Sequence, residues 1–332
     1  MKDPRFQRTA IVGAGAIGGW IGVHLAQAGC ELSVLARSET LKTLQRDGLT
    51  LRSGDHTATV PVKVSADAAS LGIQDLVVIA VKAPALASVA QQIGPLLGPE
   101  TVVLTAMNGV PWWFLDGFGG RVAGQALASV DPSGAIARAL SAQQVVGCVV
   151  HASCSVDAPG VVRHHFGDGL IVGEPGGGLS DRVQMLAALL QKAGFKATAS
   201  PQIQKDIWYK LWGNMTVNPI SALTGATTDR ILGDDLVRGF VSAVMLEAKA
   251  IGERIGIPIE QQPEDRHAVT RKLGAFKTSM LQDVEAGRAV ELDALVSAVR
   301  ELGQLTGVPT PFTDALLGLS RLQAQTLGLY PR

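Results

Sequence analysis

The chain has 332 residues, of which 47% are hydrophobic and 17% charged, and its 29 basic side chains balance its 29 acidic ones. This composition allows a large buried core, excludes an intrinsically disordered chain, and offers no excess charge for binding nucleic acid or an anionic membrane. Three cysteines are too few for a disulfide framework, and no cysteine–histidine cluster has metal-ligand spacing. We therefore expect a cytoplasmic protein without a bound metal.

The first thirty residues share some features with an export signal. Lys2, Arg5 and Arg8 precede a mostly apolar stretch, but glycines interrupt that stretch repeatedly and no small-residue cleavage site follows it. We therefore expect neither export nor insertion into a membrane.

A glycine-rich turn joins a predicted strand, residues 9–12, to a predicted helix, residues 16–28. In this G-x-G-x-x-G pattern the first glycine makes the tight turn, and the second lets the backbone approach a pyrophosphate. The third allows close packing of the helix on the strand. Free N–H groups at the helix N-terminus favour the same anion. The pattern predicts a dinucleotide site, and the alternative is a turn that binds no ligand. The predicted contact residues are Gly13, Gly15, Ala16, Ile17 and Gly18.

The end of the second predicted strand, residues 31–36, indicates which dinucleotide is bound. NAD sites usually place an acid here for the ribose 2′-hydroxyl, whereas NADP sites use arginine for the 2′-phosphate. This chain has Arg37, and the first acid after it is Glu39. A guanidinium binds phosphate through two hydrogen bonds. We therefore predict NADP(H) as the cofactor, the alternative being that Arg37 is a solvated loop residue.

Strands alternate with helices up to about residue 200. Further buried strands are predicted at residues 75–81 and 101–105, and antiparallel strands over residues 145–173. This alternation predicts an α/β fold with an N-terminal Rossmann-type doubly wound sheet. Ligands of such sheets bind beyond the carboxyl ends of the strands. Four candidate residues lie at such ends, namely Gly13, Arg37, Lys82 and Asn108.

Beyond residue 200 the strand signals end, and we predict an all-helical C-terminal domain. The predicted boundaries are 1–200 for the NADP-binding domain and 201–332 for a domain that binds the substrate and forms the contacts of a homodimer. The predicted helices span residues 204–217, 234–256, 264–286 and 291–305.

The first of these helices carries Lys210, Asn214 and Asn218 at intervals of four residues. This spacing places one amine and two amides on one face of the helix. Asparagine is a mediocre helix former, so its repetition has no structural benefit. The spacing alone is more typical of an exposed polar stripe, and a functional site is the alternative. Pro219 is expected to end the helix near Asn218.

Two acids, Glu291 and Asp293, fall in the first turn of the last predicted helix. The helix dipole by itself favours acids in that position. Their spacing therefore does not establish a functional role.

The order of these motifs resembles the ketopantoate reductase family, the 2-dehydropantoate 2-reductases, over nearly the whole chain. The matching features are Gly13-x-Gly15-x-x-Gly18, Arg37, Val81-Lys82-Ala83, Asn108-Gly109, Lys210-x-x-x-Asn214-x-x-x-Asn218-Pro219, Ser279-Met280-x-Gln282-Asp283 and Arg288-x-x-Glu291-x-Asp293. The resemblance implies an oxidoreductase with an NADP-binding Rossmann domain and a helical domain. It also implies NADPH-dependent reduction of a small 2-oxo acid, 2-dehydropantoate, to pantoate, a step of pantothenate biosynthesis.

The same resemblance implies roles for individual residues. Lys210 would be the general acid, and Glu291 would bind the hydroxyl side of the substrate. The residues that would hold the substrate are Asn214, Asn218, Ser279 and Asn108. Lys82 and Asn108 would line the junction between cofactor and substrate.

Two departures from the family pattern leave alternatives open. Val290 stands where the family often has threonine before Glu291, and the bulky segment 110–114 follows the Asn108-Gly109 turn. If that segment lines the pocket rather than packing against a helix, the substrate would be a different, bulkier 2-oxo acid. A non-catalytic NADP-sensing regulator is the alternative from another class of protein.

Overall fold

The computed structural model describes residues 4–331, so Lys2 lies outside the described residues. The chain divides into two compact units. The first contains residues up to Met107 together with Ala135–Ile203. The second contains Asn108–Gly134 and the chain from Gln204 onward.

The first unit is built on one mixed sheet. Its strands are β1 (Arg8–Val12), β2 (Glu31–Leu35), β3 (Leu49–Ser53), β4 (His56–Val60), β5 (Lys63–Ser65), β6 (Leu76–Ile79), β7 (Val102–Thr105), β8 (Val145–Ala158), β9 (Val161–Gly173) and β10 (Lys196–Ala199). The strand order is β4-β3-β9-β8-β7-β6-β1-β2-β5, and β10 pairs with β9. In the part of the sheet with the order β8-β7-β6-β1-β2-β5, all neighbouring strands are parallel, as expected for buried strands joined by crossovers.

The chain reverses its direction of travel across the sheet at β1. It passes from β1 to β2 on one side and later to β6 on the other, so the carboxyl ends of β1 and β6 form a topological switch point. Open α/β sheets bind their ligands at this place. The predicted Rossmann-type sheet is therefore confirmed, and so is the predicted pairing of β8 with β9 as antiparallel strands.

Five helices accompany the sheet: α1 (Ala16–Gln27), α2 (Ser38–Asp47), α3 (Leu86–Gln92), α4 (Ala135–Ala139) and α5 (Asp181–Lys192). Helix α1 is the most deeply buried of these, because Trp20, Ile21 and Leu25 are all inaccessible or nearly so. The ring of Trp20 stacks on His164 of β9. This packing fixes the helix that follows the glycine-rich turn.

The second unit is helical, as predicted. Its helices are α6 (Ile203–Thr224), α7 (Thr228–Gly233), α8 (Asp235–Ile255), α9 (Pro263–Arg271), α10 (Ser279–Glu285), α11 (Ala298–Thr306) and α12 (Pro311–Thr326). A π-helical turn, Asp293–Ser297, leads into α11. Within residues 4–331, no helix combines the length and apolar character needed to cross a bilayer.

Two of the predicted helix boundaries are wrong. Helix α6 continues through Pro219 to Thr224. The residues after the proline, including Ile220 and Ala222, are buried, and this burial of apolar surface stabilises the extra turn. The predicted helix 264–286 is two helices, since Gly274 adopts a positive φ of 63° and Thr278 caps a new helix.

One ion pair joins the end of β9 to α5. Arg182 Nε donates to Glu174 Oε1 at 2.7 Å, and the guanidinium also donates to the carbonyl of Val145 at the start of β8. Burial alone would raise the pKa of Glu174, but hydrogen bonds from Arg182 and Ser180 outweigh it and hold the pKa below its usual range.

We expect Arg182→Leu to lower the free energy of unfolding at pH 7 by about 1–2 kcal/mol, because it leaves a half-buried carboxylate without its cation. The lowered pKa of Glu174 stabilises the fold above the ordinary carboxyl pKa, and this contribution is lost as the pH falls through the folded-state value. Thermal unfolding followed by circular dichroism should therefore show the difference between variant and wild type shrinking in acid. Arg163→Leu, at the exposed pair with Asp157, is the control. An equal effect of both substitutions would contradict the prediction.

Candidate active site

The glycine-rich turn has the geometry that its three glycines predict. Gly13 has a φ of 93°, and a Cβ there would lie 2.6 Å from Val81 Cγ1. A Cβ on Gly18 would overlap the carbonyl oxygen of Gly13. By contrast, a Cβ on Gly15 would have no atom within 4 Å among the described residues. Thus the fold requires glycine at positions 13 and 18, whereas Gly15 borders open space.

That open space lies at the N-terminus of α1. Gly15 is the N-cap, its backbone is extended, and it has no side chain that could cap the helix. Ala16 and Ile17 form the first turn and are half-buried, whereas the following residues are buried. The N–H groups of this turn point out of the helix, as anion-binding helix termini require. These residues fit a dinucleotide pyrophosphate.

Two cationic residues follow the strands on either side of β1. Arg37 is exposed at the N-cap of α2, two residues after the end of β2, and its Nη2 donates to Gln92 Oε1 at 3.0 Å. Lys82 is exposed three residues after β6 and caps the turn that begins α3. Gly13, Arg37 and Lys82 therefore lie at the carboxyl ends of three neighbouring strands.

Helix α6 presents the predicted line of polar side chains in an otherwise apolar environment. Lys210 and Asn214 are half-buried, and Asn218 is buried. The rest of the helix is held by packing. For example, Trp212 is buried and its indole nitrogen donates to the carbonyl of Met245 in α8 at 2.7 Å. The polar line is therefore not the solvated face of a surface helix.

The amine of Lys210 is held by an amide from a distant part of the chain. Lys210 Nζ donates to Asn108 Oδ1 at 2.8 Å, and the two residues are 102 positions apart. Asn108 begins the second unit, three residues after the last residue of β7. Two residues that the sequence placed in one site are thus in direct contact.

The segment after Asn108 is fixed against the turn that follows Glu291. Val110 N donates to the carbonyl of Ala294 at 2.8 Å. Gly109 has a φ of 85°, and a Cβ there would lie 2.6 Å from Ala294 Cβ, so only glycine allows this approach. Glu291 itself is buried, and its carbonyl accepts a hydrogen bond from Leu295 N. A π-helical turn at this place is a common feature of functional sites.

The neighbouring acids have structural partners. Asp293 Oδ1 accepts from Tyr330 Oη at 2.6 Å, and burial together with this bond raises the pKa of Tyr330. Asp283 is buried and forms an ion pair with Arg288 at 3.0 Å. Ser279 is half-buried in the first turn of α10, next to the capping residue Thr278.

The bulky segment after Gly109 packs inside the helical unit. Trp113 and Phe114 are buried, and the Phe114 ring lies 6.0 Å from the ring of Trp208 on α6. These contacts favour helix packing over pocket lining for Phe114. The indole nitrogens of Trp112 and Trp113 are buried without a hydrogen-bond partner among the described residues.

Sequence reasoning did not single out Arg266 of α9. Its guanidinium lies 5.2 Å from the ring centroid of Tyr209, and a Cβ on Gly213 would be 2.8 Å from its Nε. A glycine in the middle of a helix is costly, and it often indicates such a close approach. Gly213, which lies between Lys210 and Asn214, was therefore the feature of the sequence that could have indicated a close contact at this point of α6.

Two family models match this chain, one over its N-terminal part and one over its C-terminal part. The family model described as Ketopantoate reductase PanE/ApbA matches residues 9–177, and the model described as Ketopantoate reductase PanE/ApbA C terminal matches residues 202–324. The chain belongs to the ketopantoate reductase family. It is therefore an oxidoreductase, and the family resemblance drawn from the sequence is confirmed.

Individual ketopantoate reductases are similar over almost their full length. A 2-dehydropantoate 2-reductase of Mesorhizobium japonicum is 47% identical, with 97% of this chain and 99% of that protein covered. A crystal structure from Ralstonia solanacearum MolK2, assigned as a ketopantoate reductase, is 58% identical with a TM-score of 0.95, covering 98% and 100% of the two chains. A D-mandelate dehydrogenase with NADH and anilino(oxo)acetate shares the fold at 21% identity and a TM-score of 0.82, covering 97% and 99%.

The different surroundings of the glycines predict different outcomes for two alanine variants. Gly15→Ala should fold with nearly unchanged thermal stability but bind NADPH at least about 10-fold more weakly, because the new methyl group occupies the space beside the helix N-terminus. Gly18→Ala should instead lower the melting temperature, since its methyl group overlaps the Gly13 carbonyl. Thermal unfolding without nucleotide and fluorescence titration with NADPH measure the two effects. Unchanged NADPH affinity in Gly15→Ala would contradict the proposed cofactor contact.

Proposed function

We propose that this protein catalyses the NADPH-dependent reduction of 2-dehydropantoate to pantoate. The observation that carries the proposal is the hydrogen bond of Lys210 to Asn108 within a half-buried line of amides. The open, glycine-lined N-terminus of α1 supports NADPH as the cofactor. The similarity to the Mesorhizobium japonicum 2-dehydropantoate 2-reductase supports this substrate.

Lys210 is the proposed general acid. When bound, the reduced nicotinamide supplies a hydride to the keto carbon of the substrate, and negative charge develops on the keto oxygen. An ammonium group can stabilise that oxygen by hydrogen bonding and transfer a proton to it, and the bond that Lys210 Nζ donates to Asn108 Oδ1 holds the amine in place. The bond to Asn108 orients the amine for this task.

The amides of α6 are proposed to hold the substrate. Asn214 and Asn218 follow Lys210 at intervals of one helical turn, so their amides reach along the same face as the amine. Amide groups can bind both the carboxylate and the hydroxyl of a 2-oxo acid without adding charge. Ser279 is proposed as a further hydroxyl donor, and Glu291 as the acceptor for the substrate hydroxyl.

The cofactor is proposed to bind across the carboxyl ends of the strands in the first unit. Gly13, Gly15 and the first turn of α1 would hold the pyrophosphate, and Arg37 would bind the 2′-phosphate. Lys82 and Asn108 are each proposed as further contacts of the cofactor. The proposal also places the enzyme in the cytoplasm and includes assembly as a homodimer.

A panel of 2-oxo acids tests the activity directly. We expect 2-dehydropantoate to support the fastest oxidation of NADPH, followed by the loss of its near-ultraviolet absorbance. If a bulkier 2-oxo acid is reduced faster, the proposed substrate is wrong, but the proposed reaction, NADPH-dependent reduction of a 2-oxo acid, stands. Tight NADPH binding without turnover of any panel member would favour a sensor and overturn the proposal.

Lys210→Ala should lower kcat by about 100-fold or more, the usual scale for an acid–base group. The substitution should leave the affinity for NADPH nearly unchanged, because the amine is proposed to act on the keto oxygen. Lys205→Ala is a matched control, since Lys205 is exposed on the same helix. Steady-state kinetics with 2-dehydropantoate measures both variants. A near-normal kcat in Lys210→Ala would remove the residue from the mechanism.

Arg37→Ala should selectively impair the use of NADPH. Loss of a guanidinium–phosphate contact costs about 1.5–3 kcal/mol, which corresponds to a roughly 10- to 100-fold lower kcat/KM. The kcat/KM for NADH should change little, because NADH lacks the 2′-phosphate. Equal efficiency of the two cofactors in the wild-type enzyme would count against the assignment.

A further inference from the structure

The chain that follows α12 folds back onto the helical unit. Helix α12 ends in a Schellman turn, in which Gly328 has a φ of 71° and Leu329 N donates to the carbonyl of Ala324 at 2.8 Å. Beyond this turn, Leu329 is buried and Tyr330 is half-buried. Residues 327–331, which we call the 327–331 segment, are therefore packed against the unit.

Two hydrogen bonds from this segment reach residues on either side of Glu291. The carbonyl of Leu329 accepts from Val290 N at 3.2 Å, immediately before Glu291 in the chain. Tyr330 Oη donates to Asp293 Oδ1 at 2.6 Å, two residues after Glu291. The backbone that carries Glu291 is thus held at both ends by the segment.

The carboxylate of Asp293 passes the contact on to the π-helical turn. Its Oδ1 accepts from Tyr330 Oη at 2.6 Å and from Ser297 Oγ at 3.1 Å, so it joins both ends of the turn to the segment. A hydroxyl that donates to a carboxylate over so short a distance forms one of the stronger hydrogen bonds in proteins. Because burial and this bond raise the pKa of Tyr330, the hydroxyl remains a donor at neutral pH.

The opposite side of the same turn is held by other contacts. Val110 N donates to the carbonyl of Ala294 at 2.8 Å, and Gly109 lies directly against Ala294. These contacts connect the turn to Asn108, and no residue of the 327–331 segment takes part in them. A change in the segment should therefore act on the part of the turn that carries Glu291.

We propose that Tyr330 is a positioning residue for the reaction, which acts through Asp293 to hold Glu291 where it accepts the substrate hydroxyl. This inference rests on the proposed reduction of 2-dehydropantoate. An acceptor forms a good hydrogen bond only over a narrow range of distance and angle, so a small shift of the backbone at Glu291 weakens the contact. Tyr330 itself does not touch the substrate.

Two substrates that differ only in the hydroxyl test the proposal. Tyr330→Phe removes one oxygen atom and keeps the ring. We expect its kcat/KM for 2-dehydropantoate to be about 10-fold lower than that of the wild type, because Glu291 is no longer held against the hydroxyl. The kcat/KM for 3,3-dimethyl-2-oxobutanoate, which lacks this hydroxyl, should change little. An equal loss with both substrates would indicate a general structural role and overturn the proposal.

Matched variants test the route through Asp293. Asp293→Asn keeps an oxygen acceptor for the Tyr330 hydroxyl and should retain most of the preference for the hydroxylated substrate, whereas Asp293→Leu should lose it as Tyr330→Phe does. Thr306→Val is the control, since it removes another half-buried hydroxyl, at the end of α11, and should leave both substrates unaffected. Full preference for 2-dehydropantoate in Asp293→Leu would contradict this route.

Hydrogen exchange tests the contact without relying on the reaction. Tyr330→Phe should speed the exchange of backbone amides in peptides covering residues 288–297, because the turn loses one of its anchors, and should leave peptides of α5 unchanged. Unchanged exchange in 288–297 would reject the positioning role in an otherwise active enzyme. A wild-type protein that reduces no 2-oxo acid would instead overturn the proposed function, and this inference with it.

Discussion

The hydrogen bond from Lys210 to Asn108 is the interaction on which the proposed chemistry depends. A lysine side chain is long and flexible, and an ammonium group in water adopts many positions. Here helix α6 is surrounded by buried aromatic and aliphatic side chains, so the backbone under Lys210 is fixed. Asn108 then fixes the amine itself. The apolar packing of the helix is therefore what makes a precisely placed general acid feasible.

The position of Asn108 is determined in turn by a contact that only glycine allows. Gly109 lies so close to Ala294 that any side chain would collide, and Val110 donates to the Ala294 carbonyl. The turn that contains Ala294 follows Glu291 directly. Asn108, Lys210 and the Glu291 turn are thus held by one set of contacts within the helical unit. A change at Gly109 is expected to affect all three.

Acidic residues near this turn lie in different surroundings. Asp293 binds Tyr330 and Ser297, and Asp283 binds Arg288, so both have clear structural roles. Glu291 is buried close to the segment that carries Asn108. The same distinction applies to apolar residues. The aromatic segment after Gly109 packs inside the unit, whereas Leu236 of α8 and Leu322 of α12 are exposed.

Local sequence patterns were sufficient for the strand–turn–helix unit around Gly13, for the parallel strands and for the polar line on α6. Such features depend on residues close in sequence and on a regular period, which a single chain displays directly. Tertiary structure decided what depends on distant residues. Pro219 remains inside α6 because the residues beyond it are buried. Residues 108–134 join the helical unit because Gly109 and Val110 contact Ala294. The amine of Lys210 finds its partner 102 residues away. The spacing of residues along a helix or strand does not predict these contacts, since their free energy comes from surfaces that meet only in the folded chain.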